Sequence, residues 1–253
     1  MPVTIEQIQS AWSTLVKAPE SARQLADQIA EQIATIDQGD QWAPAYKREA
    51  IAKWRQHGAE SLAPMRRDVD QAAETLMTAA TEGDRPTGSD TAQLLAETRA
   101  GRAWARLRPL LDSGRSWPSI VAEIERRGDR PGVDALLDEL PAYLRTRTPA
   151  SLDTAVDDQG EDDPAAVTER LQVAAVRVLG DREGRGRSAR LRLHVAARHP
   201  LALAALDAAD ARVTGRTDGL GAAIATQYAE RQAARIESML TSSTEPTPEP
   251  AAI

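Results

Sequence analysis

The amino-acid sequence predicts an all-α protein, arranged as two small helical bundles or helical hairpins that are joined by an acidic linker. Apolar residues recur at spacings of three and four over most of the chain, which is the pattern of a helix with one buried face. The polar–apolar alternation that is typical of a strand is seen at 190–195. A single strand there would leave backbone groups unpaired at both edges, so a helix is expected at 190–195 as well.

Proline and glycine divide the first of the predicted helices. Thr4 and Gln7 have the spacing of a capping box at the start of the first helix, which Pro19 is expected to interrupt. The clearest amphipathic helix follows and ends near Gly39. Its apolar face is formed by Ala22, Leu25, Ile29, Ile33 and Ile36.

The third helix begins after Trp42, with Pro44 in its first turn. Gly58 and Pro64 are expected to kink or divide this helix. Residues 81–89, "TEGDRPTGS", have the composition of a loop. Asp90 is placed to cap the next helix, which is expected to run toward Pro109.

Two shorter helices, 120–127 and 131–144, are expected on either side of Gly128, and Pro141 is expected to end or bend the second. Their lengths imitate a helix-turn-helix, whose second helix must enter the major groove of DNA. That helix is acidic and phosphates would repel it, so a structural helical hairpin is predicted instead. Its acidic residues are Asp134, Asp138 and Glu139.

Composition divides the chain into four parts. Residues 1–147 are expected to form an N-terminal helical domain, and residues 165–240 a C-terminal helical domain that contains an arginine-rich segment. Between them, residues 148–164, "TPASLDTAVDDQGEDDP", are polar and acidic and are interpreted as the interdomain linker. Residues 241–253 are expected to be a disordered tail. In the C-terminal domain, helices are expected at 165–179, 201–213 and 220–240.

The overall composition excludes several classes of protein. The 253 residues include no cysteine, which rules out disulfides, thiolate zinc sites and thiol catalysis. No apolar run approaches the roughly 20 residues of a membrane helix, and the N-terminus does not resemble a signal peptide, so no membrane association is expected. The expected location is the cytoplasm of a bacterial host cell, or a virion. The absence of phenylalanine leaves a core of small and aliphatic residues, which suggests either modest packing energy or stability gained by assembly.

The most unusual stretch is the arginine segment, residues 180–200, "GDREGRGRSARLRLHVAARHP", in a chain whose net charge is -7. At helical spacing, four of its basic residues share one narrow arc, and a second arginine stripe precedes it in the sequence. The candidate residues for binding an anion or a partner are Arg187, Arg190, Arg192, His194 and Arg198, with Arg99, Arg102 and Arg106. Guanidinium groups bind carboxylates and phosphates alike. Three interpretations are open: a solvated or ion-paired face, which is favoured, an acidic protein partner, and nucleic acid.

The sequence motifs of catalytic and nucleotide-binding sites are present only in part. His57 has Glu60 at helical spacing, but no HExxH spacing occurs. The glycine-rich stretch 180–186 lacks the Lys-Ser/Thr pair of a phosphate loop, and 219–224, "GLGAAI", lacks the third glycine or alanine of a dinucleotide turn. No nucleophile, base and anion stabiliser converge, so no catalytic, cofactor-binding or metal-binding residue is predicted and the protein is not expected to be an enzyme.

Two stretches carry a resemblance: "AIAKWRQHGAESLAPMRRDVDQA", Ala50 to Ala72, and "GRAWARLRPLLDSGRSWPSIVAEIERRGD", Gly101 to Asp129. In these stretches the acidic, alanine- and arginine-rich chain resembles the helical proteins of actinobacterial phages, some of which are encoded among virion-assembly genes. The resemblance implies a structural or scaffolding-like role without catalysis. It transfers no functional residues.

Together these observations predict a non-enzymatic helical assembly or interaction protein. The expected partner is a protein, either a capsid-type protein or a second copy of this chain in a homo-oligomer. The alternative is a nucleic-acid-associated protein that uses the arginine-rich residues 182–198, and a regulatory or adaptor module is a further hypothesis.

Overall fold

The computed structural model describes residues 2–85, 88–147, 163–180, 184–216 and 219–241, and every regular element in these ranges is an α-helix. The all-α prediction is therefore confirmed, and 190–195 is helical. The helices are α1 (Ile5–Gln38), α2 (Pro44–Gly83), α3 (Asp90–Asp112), α4 (Trp117–Arg127), α5 (Arg130–Arg147), α6 (Pro164–Leu179), α7 (Gly184–Thr214) and α8 (Gly219–Thr241).

Helix α1 begins at the predicted capping box. The Thr4 side chain accepts a hydrogen bond from the Gln7 backbone, and the Gln7 side chain accepts one from the Thr4 backbone. The predicted interruption at Pro19 is wrong, because α1 continues through it. Leu15 and Ala22, on either side of the proline, are both fully buried. Keeping both on one packed face outweighs the roughly 3 kcal/mol that proline costs inside a helix.

The other internal prolines and Gly58 behave in the same way. Helix α2 starts at Pro44, as predicted, and neither Gly58 nor Pro64 divides it. Helix α5 runs past Pro141 to Arg147, so of the two predicted effects of Pro141 the end of the helix is wrong and the bend stays a prediction. The arginine segment and the predicted helix 201–213 form one helix, α7, which contains Pro200. The prolines and glycines in the sequence therefore predicted more helix ends than the described residues contain.

Helices α3 and α4 have well-defined caps. Ser89, rather than Asp90, caps α3, and its side chain accepts from the Ala92 backbone. Helix α4 ends at Gly128, whose φ of 62° lies in the left-handed region that glycine tolerates best. The next helix starts two residues later, which produces the predicted helical hairpin of α4 and α5.

The described residues belong to two compact units. Unit 1 lies within Met1–Ala79 and His194–Met239, and unit 2 within Ala80–Leu193 and Leu240–Ile253. Helices α2 and α7 each contribute to both units. The units therefore do not coincide with the predicted domains 1–147 and 165–240. The predicted linker and tail stay predictions, since 148–162 and 242–253 lie outside the described residues.

Unit 1 is built from α1, most of α2, the second part of α7, and α8. Its largest fully buried side chains are aliphatic, and alanines fill much of the remaining interior. This composition agrees with a sequence that lacks phenylalanine. The buried aliphatic residues are Leu15, Val69, Leu76, Leu206 and Ile236.

Unit 2 has one apolar core between α3, α4, α5, α6 and the start of α7. Trp117 lies in this core, and Trp104 packs against it as a partly buried side chain. The Trp104 ring meets that of Tyr143 edge-on, with ring centroids 5.7 Å apart. The buried core members include Leu107, Ile120, Leu136, Leu140, Leu171 and Ala189.

Candidate interaction surfaces

The predicted stripe on α7 is distributed over two units. Arg187, Arg190 and Arg192 belong to unit 2, and His194 and Arg198 belong to unit 1. Arg190 is exposed, and the other four are half-buried. Each unit therefore presents its own part of the stripe.

Two arginines of the stripe form ion pairs with carboxylates of the same chain. Arg192 donates to Asp84 within unit 2. Arg198 donates to Glu237 within unit 1, and its Nε is buried without a hydrogen-bond partner. Guanidinium groups held in this way have fewer free donors for a phosphate or for another protein.

The second stripe lies on α3. The Arg106 guanidinium is 3.2 Å from the Asp129 carboxylate. Arg99 and Arg102 are exposed, and no described carboxylate forms an ion pair with either. This stripe therefore keeps two available cations in unit 2.

The three histidines lie in unit 1 without converging. The His194 ring packs on Trp12, with centroids 4.6 Å apart. His199 Nε2 is 2.9 Å from Asp70 Oδ1. His57 packs edge-on to Trp54 at 5.8 Å.

The carboxylate that the sequence placed beside His57 has a different partner. Glu60 accepts a hydrogen bond from Gln56 rather than from the histidine. In the ranges that the structure covers, no group of three or more His, Asp or Glu side chains is arranged to hold a metal ion. The contacts of the three histidines therefore fix the orientation of side chains within unit 1.

Arg185 is a charged residue of the kind found in binding sites, and it is not among the candidate binding residues predicted from the sequence. Its two terminal nitrogens lie 3.0 and 2.5 Å from the Asp138 oxygens, and Nη1 is 3.3 Å from Asp134 Oδ1. Burial alone lowers the pKa of Arg185, but the hydrogen bonds and charges of Asp138 and Asp134 together raise it above its ordinary value. The two aspartates are four residues apart on α5, which is the signal in the sequence for one cation between them.

A cavity of about 270 Å³ lies beside this pair in unit 2. The charged groups that line it are the Arg185–Asp138 pair and the Arg192–Asp84 pair. Gln172 and Thr168 add polar atoms, and the Thr168 hydroxyl donates to the Pro164 carbonyl at 2.7 Å. Each lining cation is matched by a lining carboxylate, and no histidine, serine or lysine lines the cavity. The cavity is therefore best described as a space between packed helices that is lined by paired charges.

A second feature absent from the sequence analysis surrounds the turn between α4 and α5. Glu125 Oε2 accepts from Arg170 at 2.9 Å and from Arg177 at 3.2 Å. Glu123 is held by Arg115 and Arg127. We call the basic cluster the set Arg106, Arg115, Arg126, Arg127, Arg130, Arg170 and Arg177, with its carboxylates Glu123, Glu125 and Asp129.

One carboxylate of the basic cluster, Glu123, is stabilised in its charged form. The hydrogen bond from Arg115 lowers the pKa of Glu123, and the positive charges of Arg115, Arg127 and Arg126 lower it further. Glu125 Oε1 is buried without a hydrogen-bond partner, whereas its other oxygen bridges two arginines. Glu125 is therefore the central anion between α4 and α6.

Replacing Glu125 by alanine is expected to destabilise unit 2 by about 2 kcal/mol, because two half-buried arginines lose their shared carboxylate. The matched control is Glu139→Ala, which removes the same charge from an exposed position on α5. Urea unfolding followed by circular dichroism measures both. Equal stability of the two variants would contradict the bridging role of Glu125.

No family model, curated protein or solved structure matches this chain. Among the described helices, none is long and apolar enough to cross a membrane.

Proposed function

We propose that this chain is a non-enzymatic helical assembly protein that acts by binding protein, including further copies of itself. The observation that carries the proposal is the start of α3. Residues 94–99 are all exposed, and they include Leu94 and Leu95, which are 64% and 48% exposed. Paired leucines in water are a surface that association with protein can bury.

The energetics of α3 support this proposal. A helical segment of a few turns is marginal in water unless its apolar residues are packed. Leu94 and Leu95 keep much of their surface exposed, so burial against a partner would stabilise the start of α3 further. Exposed Arg99 and Arg102 lie next to them, and arginine is common in protein interfaces.

The resemblance to helical phage proteins of virion assembly supports a partner that is itself a protein of the virion or a second copy of this chain. The proposed role is structural or scaffolding-like, with a capsid-type protein or a second copy bound, in a homo-oligomer. The proposed setting is the bacterial host cytoplasm or the virion. The alternative use of residues 182–198 for nucleic acid is less supported, because Arg185, Arg192 and Arg198 are engaged by carboxylates of the chain.

The test is the molar mass measured by size-exclusion chromatography with light scattering over a hundredfold range of concentration. We expect the wild-type chain to exceed the monomer mass increasingly as concentration rises, and L94D/L95D to lose this association at least tenfold. The control is Ile5→Asp, since Ile5 is 65% exposed in the first turn of α1, far along the chain from α3. A wild-type chain that stays monomeric throughout and does not bind capsid-type proteins would overturn the proposal.

A further inference from the structure

The basic cluster of unit 2 carries an excess of positive charge in an acidic protein. Segment 115–130 contains four arginines, three carboxylates and no other charged residue. Three further arginines, which lie on α3 and α6, are ion-paired to those carboxylates. Seven guanidinium groups therefore accompany three carboxylates, which leaves an excess of four positive charges, whereas the chain as a whole carries -7.

Four arginines of the basic cluster combine exposure with donors that can bind a further anion. Arg126 is exposed and forms no ion pair with a described carboxylate. The side chains of Arg127 and Arg106 are each 65% exposed although they are paired. Arg130 is exposed as well, and it donates to the Leu179 carbonyl at 3.0 Å. A guanidinium has five N–H donors, so none of these side chains is saturated by the contacts that it makes within the chain.

The contacts of the basic cluster bring these four arginines to the turn between α4 and α5. Arg126 and Arg127 are the last residues of α4, and Arg130 is the first of α5. Arg106 reaches the same turn from α3, since its guanidinium is 3.2 Å from the Asp129 carboxylate. The hydrogen bond from Arg130 to the end of α6 places that helix beside the turn. The exposed guanidinium groups are therefore neighbours around one turn of unit 2.

The surface around this turn lacks the apolar anchors that a protein partner would need. A protein interface gains most of its affinity from side chains that are buried at its centre. Leu110, just before the segment on α3, is 37% exposed, which leaves one partly exposed leucine beside seven arginines. Burying an excess of like charges is costly unless each charge is paired, so this surface suits a partner that supplies many anionic groups. The large apolar side chains of segment 115–130 are all buried, namely Trp117, Ile120, Val121 and Ile124.

A nucleic-acid duplex supplies anionic groups at the required density. A duplex carries one negative charge per about 1.7 Å of its axis, so about 7 Å of duplex matches the four excess charges. Guanidinium groups bind phosphate oxygens in a bidentate manner. Single strands are held in addition by the stacking of bases on aromatic side chains, and none of the aromatic side chains described in unit 2 is exposed. The charge density and the absence of a stacking surface both favour the duplex.

We propose that the basic cluster binds double-stranded nucleic acid through the phosphate backbone, without reading the base sequence. Arg106, Arg126, Arg127 and Arg130 make the contacts, and the paired arginines behind them strengthen the positive potential. The acidic helix α5 stays outside the groove, because only the turn at its start faces the phosphates. This binding goes beyond the proposed function, since it does not use the exposed leucines of α3.

The experiment measures the binding of the full chain to a labelled DNA duplex of about 20 base pairs by fluorescence anisotropy. For four phosphate contacts, we expect the wild-type affinity to fall about 150-fold between 50 mM and 200 mM salt, with a slope of about -3.6 on logarithmic axes. The cluster variant R126Q/R127Q is expected to bind at least tenfold more weakly at 50 mM salt and to show about half this slope. The control R48Q/R231Q removes the same charge from two exposed arginines of unit 1 and is expected to bind as wild type does.

A second variant separates binding from folding. R126Q alone changes an exposed side chain without breaking an ion pair to a described carboxylate, and it is expected to reduce the slope by about one. Duplexes of two different sequences are expected to bind wild type with equal affinity, because only the backbone is contacted.

Five results would overturn the inference. The first is a wild-type chain that does not bind the duplex at 50 mM salt, and the second is equal binding by the cluster variant and the control. The third is a loss of binding in R187Q/R190Q but not in the cluster variant, which would assign the phosphate contacts to the arginine segment. The fourth is tighter binding of poly-glutamate than of the duplex, which would identify an acidic protein as the partner. The fifth is tighter binding of a single strand of the same length.

Discussion

Replacing Gly58 by valine is expected to destabilise unit 1 by about 3 kcal/mol or more, although glycine is normally unfavourable inside a helix. Gly58 is buried in α2. A Cβ atom at this position would lie 2.4 Å from Val213 Cγ1 on α7 and 3.3 Å from Ile29 Cγ1 on α1. Val213 and Ile29 are themselves almost completely buried, so neither can move into solvent. The three helices approach this closely because residue 58 has no side chain.

The matched control for this prediction is Gly101→Val on α3, where an added Cβ would meet no atom within 4 Å. We expect Gly101→Val to change the free energy of unfolding by less than about 0.5 kcal/mol, as for most exposed substitutions. Chemical denaturation monitored by circular dichroism measures both variants. Adding Val213→Ala to the Gly58 variant is expected to recover more than about 1 kcal/mol, since the residues are in contact. Equal stabilities of the two glycine variants would refute the close approach.

Gly58 also shows why helix ends were overpredicted from the sequence. Local propensity treats glycine and proline as interruptions, and at Gly39, Pro44 and Gly128 this interpretation agrees with the structure. At Gly58 and Pro19 the deciding factor is packing against residues distant in the sequence. The amphipathic periodicity continues across both positions, and it was the better guide to the helices.

The ion pairs likewise depend on residues that are distant from one another in the sequence. The helix that carries Arg192 was predicted because a single strand at 190–195 would leave backbone groups unpaired, and the carboxylates of the chain favoured an ion-paired face. The identity of the partner was not predictable, because 108 residues separate Arg192 from Asp84. Spacing rules detect pairs three or four residues apart, such as Lys53 and Glu49. The spacing of Asp134 and Asp138 indicates a cation between them, but neither its identity as Arg185 nor the basic cluster could be recognised before the helices were assembled.

The compact units were not predictable from composition either. The most polar segment, 148–164, was expected to be a linker, whereas unit 1 ends at Ala79, near the end of α2, and resumes at His194, within α7. Neither position carries proline, glycine or a change in composition. Continuous helices that contribute to two units leave no local signal in the sequence.

Replacing Gly186 by alanine is expected to be the most damaging single-methyl change in unit 2, with a loss of about 3 kcal/mol or more. An added Cβ would lie 1.7 Å from the Gly180 carbonyl oxygen and 2.9 Å from its carbon. Because these are backbone atoms, no rotamer change relieves the overlap, and α6 and α7 must separate by more than 1 Å there. Ala189, three residues further along α7, would then leave its place in the apolar core. Arg185, which precedes Gly186, would lose its geometry toward Asp138.

The matched control is Gly221→Ala, because Gly221 is the third residue of α8 as Gly186 is the third residue of α7. An added Cβ at Gly221 meets no atom within 4 Å, so this variant should be as stable as wild type or slightly more stable. The two free energies of unfolding, measured in urea, are expected to differ by at least about 3 kcal/mol. If they agree within about 0.5 kcal/mol, α7 does not approach the Gly180 carbonyl. The packing that holds Arg185 and Arg192 toward their carboxylates would then need another explanation.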